Sequence, residues 1–202
     1  MNMSIRKILL VVDVQRDFID GTLAVPGAER IIPVINGIKN DFDLTYFTLD
    51  WHPKDHCSFK ENGGIWPEHC VHYTLGSSLA PTLLEGLEEK RTRYILKGLD
   101  RNREEYGAFA ELAADTQTEV HENAAILPRS TTNNPGSALF QPGDEVTVCG
   151  IAAEYCVLET LKNVFHLSRE TGFSVNVCLK ATAGFDSTPL TDWMEENKVK
   201  EY

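Results

Sequence analysis

Three residue types able to run acyl-transfer chemistry each fall at or just beyond the end of an apolar run: the carboxylate of Asp13, the lysine Lys97 and the thiol of Cys156. A thiolate attacks a carbonyl far better than a thiol does, so such a site needs a group to take the proton and a charge to hold the anions. A carboxylate beside the thiol can take that proton, and a neighbouring ammonium favours both anions. Cys156 stands between the β-branched run 145–149 and residues 158–168, where Leu158, Leu161, Val164, Phe165 and Leu167 recur at helical spacing. It is expected where a strand turns into a helix, and there the unpaired N–H groups and the positive end of the macrodipole favour a thiolate. Singly, each residue has an ordinary reading: a small buried hydrophobe for the cysteine, a turn aspartate, a snorkelling lysine. Convergence on one crevice is what turns them into a site.

A second constellation pairs Asp50 and His52 with His56 and, further on, His69. A carboxylate plus imidazoles suits zinc, iron or manganese. Asp50 and His52, two apart at a strand end, can face the same way. Hydrogen-bonded structural histidines are the ordinary alternative, and Cys57 and Cys70 offer a competing structural His/Cys zinc site, although the spacing fits no zinc finger or ribbon. His72, His121 and His166 have no partner pattern. Phe18, Trp66 and Tyr106 each follow one of the strand ends. Flat rings there can sandwich a planar heteroaromatic substrate, each pair adding ~0.5–1.5 kcal/mol beyond burial; ordinary core packing is the alternative for any one of them.

The elements that would position these residues read as strands at 6–12, 43–49, 93–97, 145–149 and 173–180. Helices are predicted over 29–39, with Pro33 in the first turn, and over 158–168. A helix start lies within 104–114, and a weak one in the 181–202 tail carries Trp193 and Met194. Strands alternating with helical stripes predict an α/β fold with a doubly wound, mostly parallel sheet in three layers, which binds ligands beyond the carboxyl ends of its strands. Those ends are Asp13, Asp50, Lys97, Gly150 and Lys180. No Gly-x-Gly-x-x-Gly and no P-loop follows any strand, which disfavours nucleotide cofactors. The His- and aromatic-rich stretch 52–77 is long enough for a functional loop, and 115–143 turns polar, as an insertion would.

A chain of 202 residues is expected to form one domain, 1–202. Its net charge of −11 argues against nucleic acid and anionic membrane surfaces as partners, because phosphate affinity needs clustered Lys and Arg. The apolar run 8–12 is too short for an export signal or a membrane span. An odd count of five cysteines then reads as reduced thiols in a cytoplasmic protein.

The segments Val12-Asp13-Val14-Gln15-Arg16-Asp17-Phe18, Asp50-Trp51-His52, Trp66-Pro67-Glu68-His69-Cys70-Val71, Lys97-Gly98 and Gly150-Ile151-Ala152-Ala153-Glu154-Tyr155-Cys156-Val157 carry a resemblance over about residues 7–182. The chain resembles the isochorismatase-like cysteine hydrolases and, among them, the nicotinamidases (pyrazinamidases). That resemblance implies an isochorismatase-like fold and hydrolysis of nicotinamide to nicotinate and ammonia in NAD salvage. Cys156 would be the nucleophile, passing through a thioester, Asp13 the base, and Lys97 the group holding both. The N–H groups of Ala152 and Cys156 would form the oxyanion hole, with a cis peptide between Ile151 and Ala152. Asp50, His52 and His69, with His56 as a fourth candidate, would hold one divalent metal, zinc first, with iron or manganese open. Phe18, Trp66 and Tyr106 would line the ring pocket. Three departures stand out: Gly107 where relatives commonly have serine, which would loosen that wall; the 115–143 insertion, which could affect access or assembly into a homo-oligomer; and a sixth strand that is short or missing. Competing readings are a related cysteine amidohydrolase acting on carbamoyl or other small amides, and a non-catalytic metal-stabilised binding module.

Overall fold

Residues Ile8 to Val12 are entirely shielded from solvent, which a strand needs when it has neighbours on both edges and helices on both faces. They belong to β1 (Lys7–Val12), the third strand of a six-stranded sheet in the computed structural model, which describes residues 5–110 and 139–202. The other strands are β2 (Leu44–Asp50), β3 (Thr92–Lys97), β4 (Glu145–Ile151), β5 (Ser174–Ala183) and β6 (Lys200–Glu201). Their order is β3-β2-β1-β4-β5-β6 and every pairing is parallel. The doubly wound α/β sheet expected from the alternation of elements is thus present, with its switch point between β1 and β4. The sixth strand is short, two residues pairing beside Asn176 and Val177.

Alternate side chains of the strands feed two cores. Ile8, Leu10, Val12, Val146 and Val148 meet Leu158, Leu161 and Val164 of α4 (Leu158–Thr171) and Leu190 and Met194 of α5 (Thr188–Asn197). Leu9, Val11, Phe47 and Ile151 meet Ile31 and Ile35 of α2 (Ala28–Ile38) and Leu83 of the single turn α3 (Pro81–Leu84). A further single turn, α1 (Arg16–Ile19), follows β1 directly. Pro33 lies inside α2 rather than in its first turn, because the helix starts at Ala28, five residues before it. It faces solvent, so water can solvate the carbonyl its missing N–H leaves free. Within 104–114, expected to start a helix, residues 104–109 are irregular and Ala110 is helical, and residues 111–138, with most of the insertion, lie outside the described residues. All five cysteines are free. Among the described residues no helix is long and apolar enough to cross a membrane.

The entry to the sheet is pinned by charge. Arg6 donates from Nε to Asp144 Oδ1 at 2.9 Å and from a terminal guanidinium nitrogen to Oδ2 at 2.5 Å. This bidentate pair ties β1 to the turn before β4, and the Asp144 side chain is almost wholly buried. Arg6→Ala leaves that carboxylate with only the Gln141 N–H at 2.7 Å among its described donors, and we expect a loss of ~2–3 kcal/mol in urea unfolding.

Candidate active site

The switch point is unusually tight. A Cβ on Gly150 would stand 2.1 Å from Val12 O, and its φ is +127°, so only glycine lets the chain cross here. Beyond it come the cis peptide Ile151–Ala152, expected from the resemblance, and the π-helical turn Ala153–Val157 that leads into α4. Cys156 is buried within this turn, three residues past its first. On the other side of the crossing Asp13 leaves β1 with φ +49°, its N–H on Thr48 O at 3.2 Å and its Oδ1 accepting from Thr48 Oγ1 at 2.6 Å. The β2–β3 register sets Asp50 directly beside Lys97.

Register therefore brings together what lies far apart in sequence. Lys97 Nζ stands 2.8 Å from Asp13 Oδ2, 2.5 Å from Asp50 Oδ1 and 3.6 Å from Cys156 Sγ. All four side chains are buried. Burial by itself lowers the affinity of Lys97 for its proton, but Asp13 and Asp50 override this and raise its pKa well above the usual lysine value. Burial raises Asp13, more than Lys97 lowers it. Asp50 goes the other way: burial acts upward, yet Lys97 and then His52 hold it below the usual carboxylate range. The thiol differs from the sequence expectation. Burial pushes Cys156 well above the ordinary cysteine value, outweighing Lys97. The resting thiol is thus neutral, and its proton must move when a substrate arrives. Asp13 Oδ2 is buried and accepts no well-aligned hydrogen bond, although it lies in ion-pair reach of Lys97. That leaves a lone pair for the thiol proton.

Asp50 is shared. Its other oxygen, Oδ2, is 3.6 Å from His52 Nε2, and donor atoms of Asp50, His52 and His69 all lie within 4.8 Å of one another. His69 reaches them because residues 70–72 run beside His52: His52 N–H bonds Cys70 O at 3.1 Å and His72 N–H bonds His52 O at 2.9 Å. The donors fit a divalent cation. His52 Nδ1 is engaged by Gly98 O at 2.9 Å and His69 Nδ1 by Pro67 O at 2.7 Å, so each Nδ1 carries the proton and each Nε2 presents a lone pair. Donor atoms of Asp13, Asp50 and Cys156 are also clustered, but there the Lys97 ammonium already fills the role of cation.

His56 is not brought into the metal set. Its Nδ1 is 2.7 Å from Ser58 Oγ and its Nε2 donates to Arg103 O at 3.1 Å, while its ring stacks on His52 with centroids 4.1 Å apart. Burial, then His52, lowers its pKa to about 4, so it is a neutral buttress with both nitrogens occupied. Among the described residues, neither Cys57 nor Cys70 joins a ligand cluster, which removes the His/Cys alternative. Gln15 and Asp17, which sequence reasoning passed over, hold the frame. Gln15 Oε1 accepts from Asp50 N–H and its Nε2 donates to Asp50 O, both at 2.8 Å, so a side-chain amide continues the ladder where β1 has departed. Asp17 Oδ2 accepts from Cys70 N–H at 2.7 Å, next to His69.

Phe18, Trp66 and Tyr106 line one cleft with Asp50, His69, Ala152 and Cys156. The cleft encloses about 400 Å³ counted to its open mouth. Trp66 Nε1 donates to Tyr106 OH at 2.9 Å, and Tyr155 lies edge-on to Trp66 at 5.2 Å. Tyr155, Leu23, Val25, Glu104 and Phe185 also line it and were not singled out from sequence; Tyr155 could have been found by adjacency to Cys156. The wall at Gly107 is not loose. A Cβ there would stand 2.7 Å from Asn163 Nδ2 and 2.8 Å from Glu159 C, and Ala108 is bonded on both sides to Thr160 and Asn163 of α4. The glycine lets this segment dock on α4.

No family model matches the chain. A nicotinamidase of Saccharomyces cerevisiae is 31% identical over 226 aligned positions, covering 96% of this chain and 94% of the yeast protein. The chain belongs to the nicotinamidase family. Solved structures agree with that membership. The pyrazinamidase of Pyrococcus horikoshii, crystallised in complex with zinc, superposes with a TM-score of 0.71 at 30% identity, covering 97% of both chains. PnC1 from L. infantum, in complex with nicotinate, superposes with a TM-score of 0.74 at 28% identity, covering 100% of this chain and 96% of that one. The sheet order and crossing described above are therefore those of a nicotinamidase, with the isochorismatase-like α/β fold that the resemblance implied.

Proposed function

We propose that this chain hydrolyses nicotinamide to nicotinate and ammonia, and pyrazinamide likewise, with Cys156, Asp13 and Lys97 as its catalytic groups. The observation that carries the reading is the buried ammonium of Lys97, set between Asp13 and Asp50 and 3.6 Å from the Cys156 sulfur, in a cleft walled by aromatic rings. Asp13 takes the thiol proton as Sγ attacks the amide carbon, and Lys97 balances the charge this creates. The N–H groups of Ala152 and Cys156 serve the developing oxyanion, where preorganised donors are worth most. As the tetrahedral species collapses, Asp13 returns the proton to the leaving nitrogen, ammonia departs and the thioester remains. Water then loses a proton to Asp13 and attacks the thioester carbon. Cys156 leaves with that proton, and nicotinate is released. Phe18, Trp66 and Tyr106 bind the ring between flat faces.

Asp50, His52 and His69 would hold a divalent metal, for which two imidazoles and a carboxylate favour zinc. When bound, the metal supplies open positions for the ring nitrogen and for water, orienting the substrate rather than activating the amide. A single domain and a cytoplasmic location, consistent with five free thiols, belong to the same proposal.

Ammonia release from nicotinamide by the purified holoenzyme tests the function. Turnover of a carbamoyl amide with none of nicotinamide or pyrazinamide would move the assignment to a related amidohydrolase. Elemental analysis tests the metal: we expect about one divalent ion per chain, lost in His52→Ala and retained in His56→Ala. Chelation should raise KM more than it lowers kcat. Native protein without metal, or equal metal loss in both variants, would overturn this ligand set.

A further inference from the structure

The loop after β5 carries a ring that the triad and its metal do not use. Gly184 lies hard against the cysteine turn: a Cβ there would stand 2.5 Å from Glu154 Oε2 and 2.7 Å from Ala153 Cβ. The next two residues, Phe185 and Asp186, both donate backbone N–H groups to Glu154 Oε1, at 3.0 and 3.1 Å. The other oxygen of that carboxylate, Oε2, is buried and has no hydrogen-bond partner. Leaving a buried carboxylate oxygen unsatisfied is costly, so the docking of this loop is held against an opposing penalty. What the docking delivers is Phe185. Its side chain is large, apolar and 53% exposed, and it lines the same cleft as Cys156, Ala152 and Trp66. Glu154 lies two residues before Cys156 in one turn, so the nucleophile and the ring are set by the same rigid piece of backbone.

The cleft has two differently built walls. His69 comes from the long loop after β2, whereas Cys156 comes from the turn after β4. A substrate whose ring nitrogen is directed toward the histidine wall presents its amide to the cysteine wall, and the Phe185 loop is docked on that wall. We propose that Phe185 is a specificity-determining residue that closes the mouth over the amide nitrogen, admitting primary carboxamides and excluding those with an alkyl group on that nitrogen. Glu154 is the positioning residue that fixes it there. This rests on the nicotinamide reading above.

The test compares nicotinamide with the N-methyl amide of nicotinic acid. Phe185→Ala should raise KM for nicotinamide by about fivefold, with the loss falling on KM rather than kcat. It should also raise kcat/KM for the N-methyl amide relative to nicotinamide by about tenfold, the range one methyl group commands in an apolar pocket. Glu154→Ala should shift the same ratio in the same direction, Glu154→Gln should stay near wild type because one acceptor oxygen remains, and Glu154→Ala should add nothing in a Phe185→Ala background. Where Glu154→Ala fails to fold, Phe185→Leu against Phe185→Ala carries the test, with leucine intermediate. An unchanged ratio in Phe185→Ala, a gain confined to ring-substituted amides, or a Glu154→Ala effect that persists without Phe185 would overturn the proposal. Wild-type protein that releases no ammonia from nicotinamide overturns the functional reading as well, whereas normal wild-type turnover with an unchanged ratio removes only the role of Phe185.

Discussion

Cys156→Ala should abolish turnover, with kcat lowered by about 10⁴-fold or more, while the protein still folds and binds nicotinate. The sulfur stands 3.6 Å from Lys97 Nζ and faces the cleft, so its removal takes away the atom to which the acyl group would transfer. No other thiol can stand in: Cys70, Cys149 and Cys178 are buried in the core on the opposite face of the sheet, and Cys57 lines no part of the cleft. The methyl group of alanine is tolerated because Cys156 packs beside Val157 and Leu158 in a well-filled cluster, where losing one sulfur costs little compared with a large-to-small change. Ammonia release, nicotinate binding by calorimetry and thermal unfolding, measured together, separate loss of chemistry from loss of fold. Residual activity within tenfold of wild type would rule out the thioester route.

The same contrast between local pattern and long-range geometry explains what could be read from sequence. Asp13, Asp50, Lys97 and Cys156 were legible because a parallel sheet sends every strand's carboxyl end to one edge, and the apolar runs marked those ends. The protonation of the thiol was not legible. The turn favours a thiolate in isolation, and only the packing around it shows that burial, joined by Asp13 and Asp50, outweighs the lysine. His56 looked like a fourth ligand by spacing, yet Ser58 and the backbone of Arg103, 47 residues away, decide its role. Phe185 was missed because β5 continues to Ala183, past the polar Lys180 at which its apolar pattern had ended. Phe185 lies two residues beyond the true carboxyl end of β5. Gly107 shows the reverse error: judged by what a serine would add to the cleft, it is instead fixed by the Glu159 backbone of α4 behind it.

Lys97→Met should be nearly as damaging to activity as loss of the thiol, and unlike that change it should also weaken the fold. Lys97 is the cation common to Asp13 and Asp50, and its replacement by an apolar chain of similar length keeps the packing but removes the charge. Asp13, with no exposure to solvent, then retains Thr48 Oγ1 as the side-chain donor to its Oδ1. Breaking a buried pair from one side costs ~3–5 kcal/mol because the remaining charge is uncompensated. Catalysis suffers for a related reason: Asp13 without its lysine is driven to hold a proton, and a protonated carboxyl cannot accept one from the thiol. We expect kcat to fall by about 10³-fold or more. The double variant Lys97→Met/Asp13→Asn separates the two effects. Removing one of the two orphaned charges should restore part of the lost stability, Asp50 still lacking its lysine, and none of the activity, a coupling that a double-mutant cycle reads directly. If the double variant is no more stable than Lys97→Met alone, the penalty does not lie in the uncompensated Asp13 carboxylate, and the electrostatic account of the Asp13–Lys97 pair would have to be abandoned.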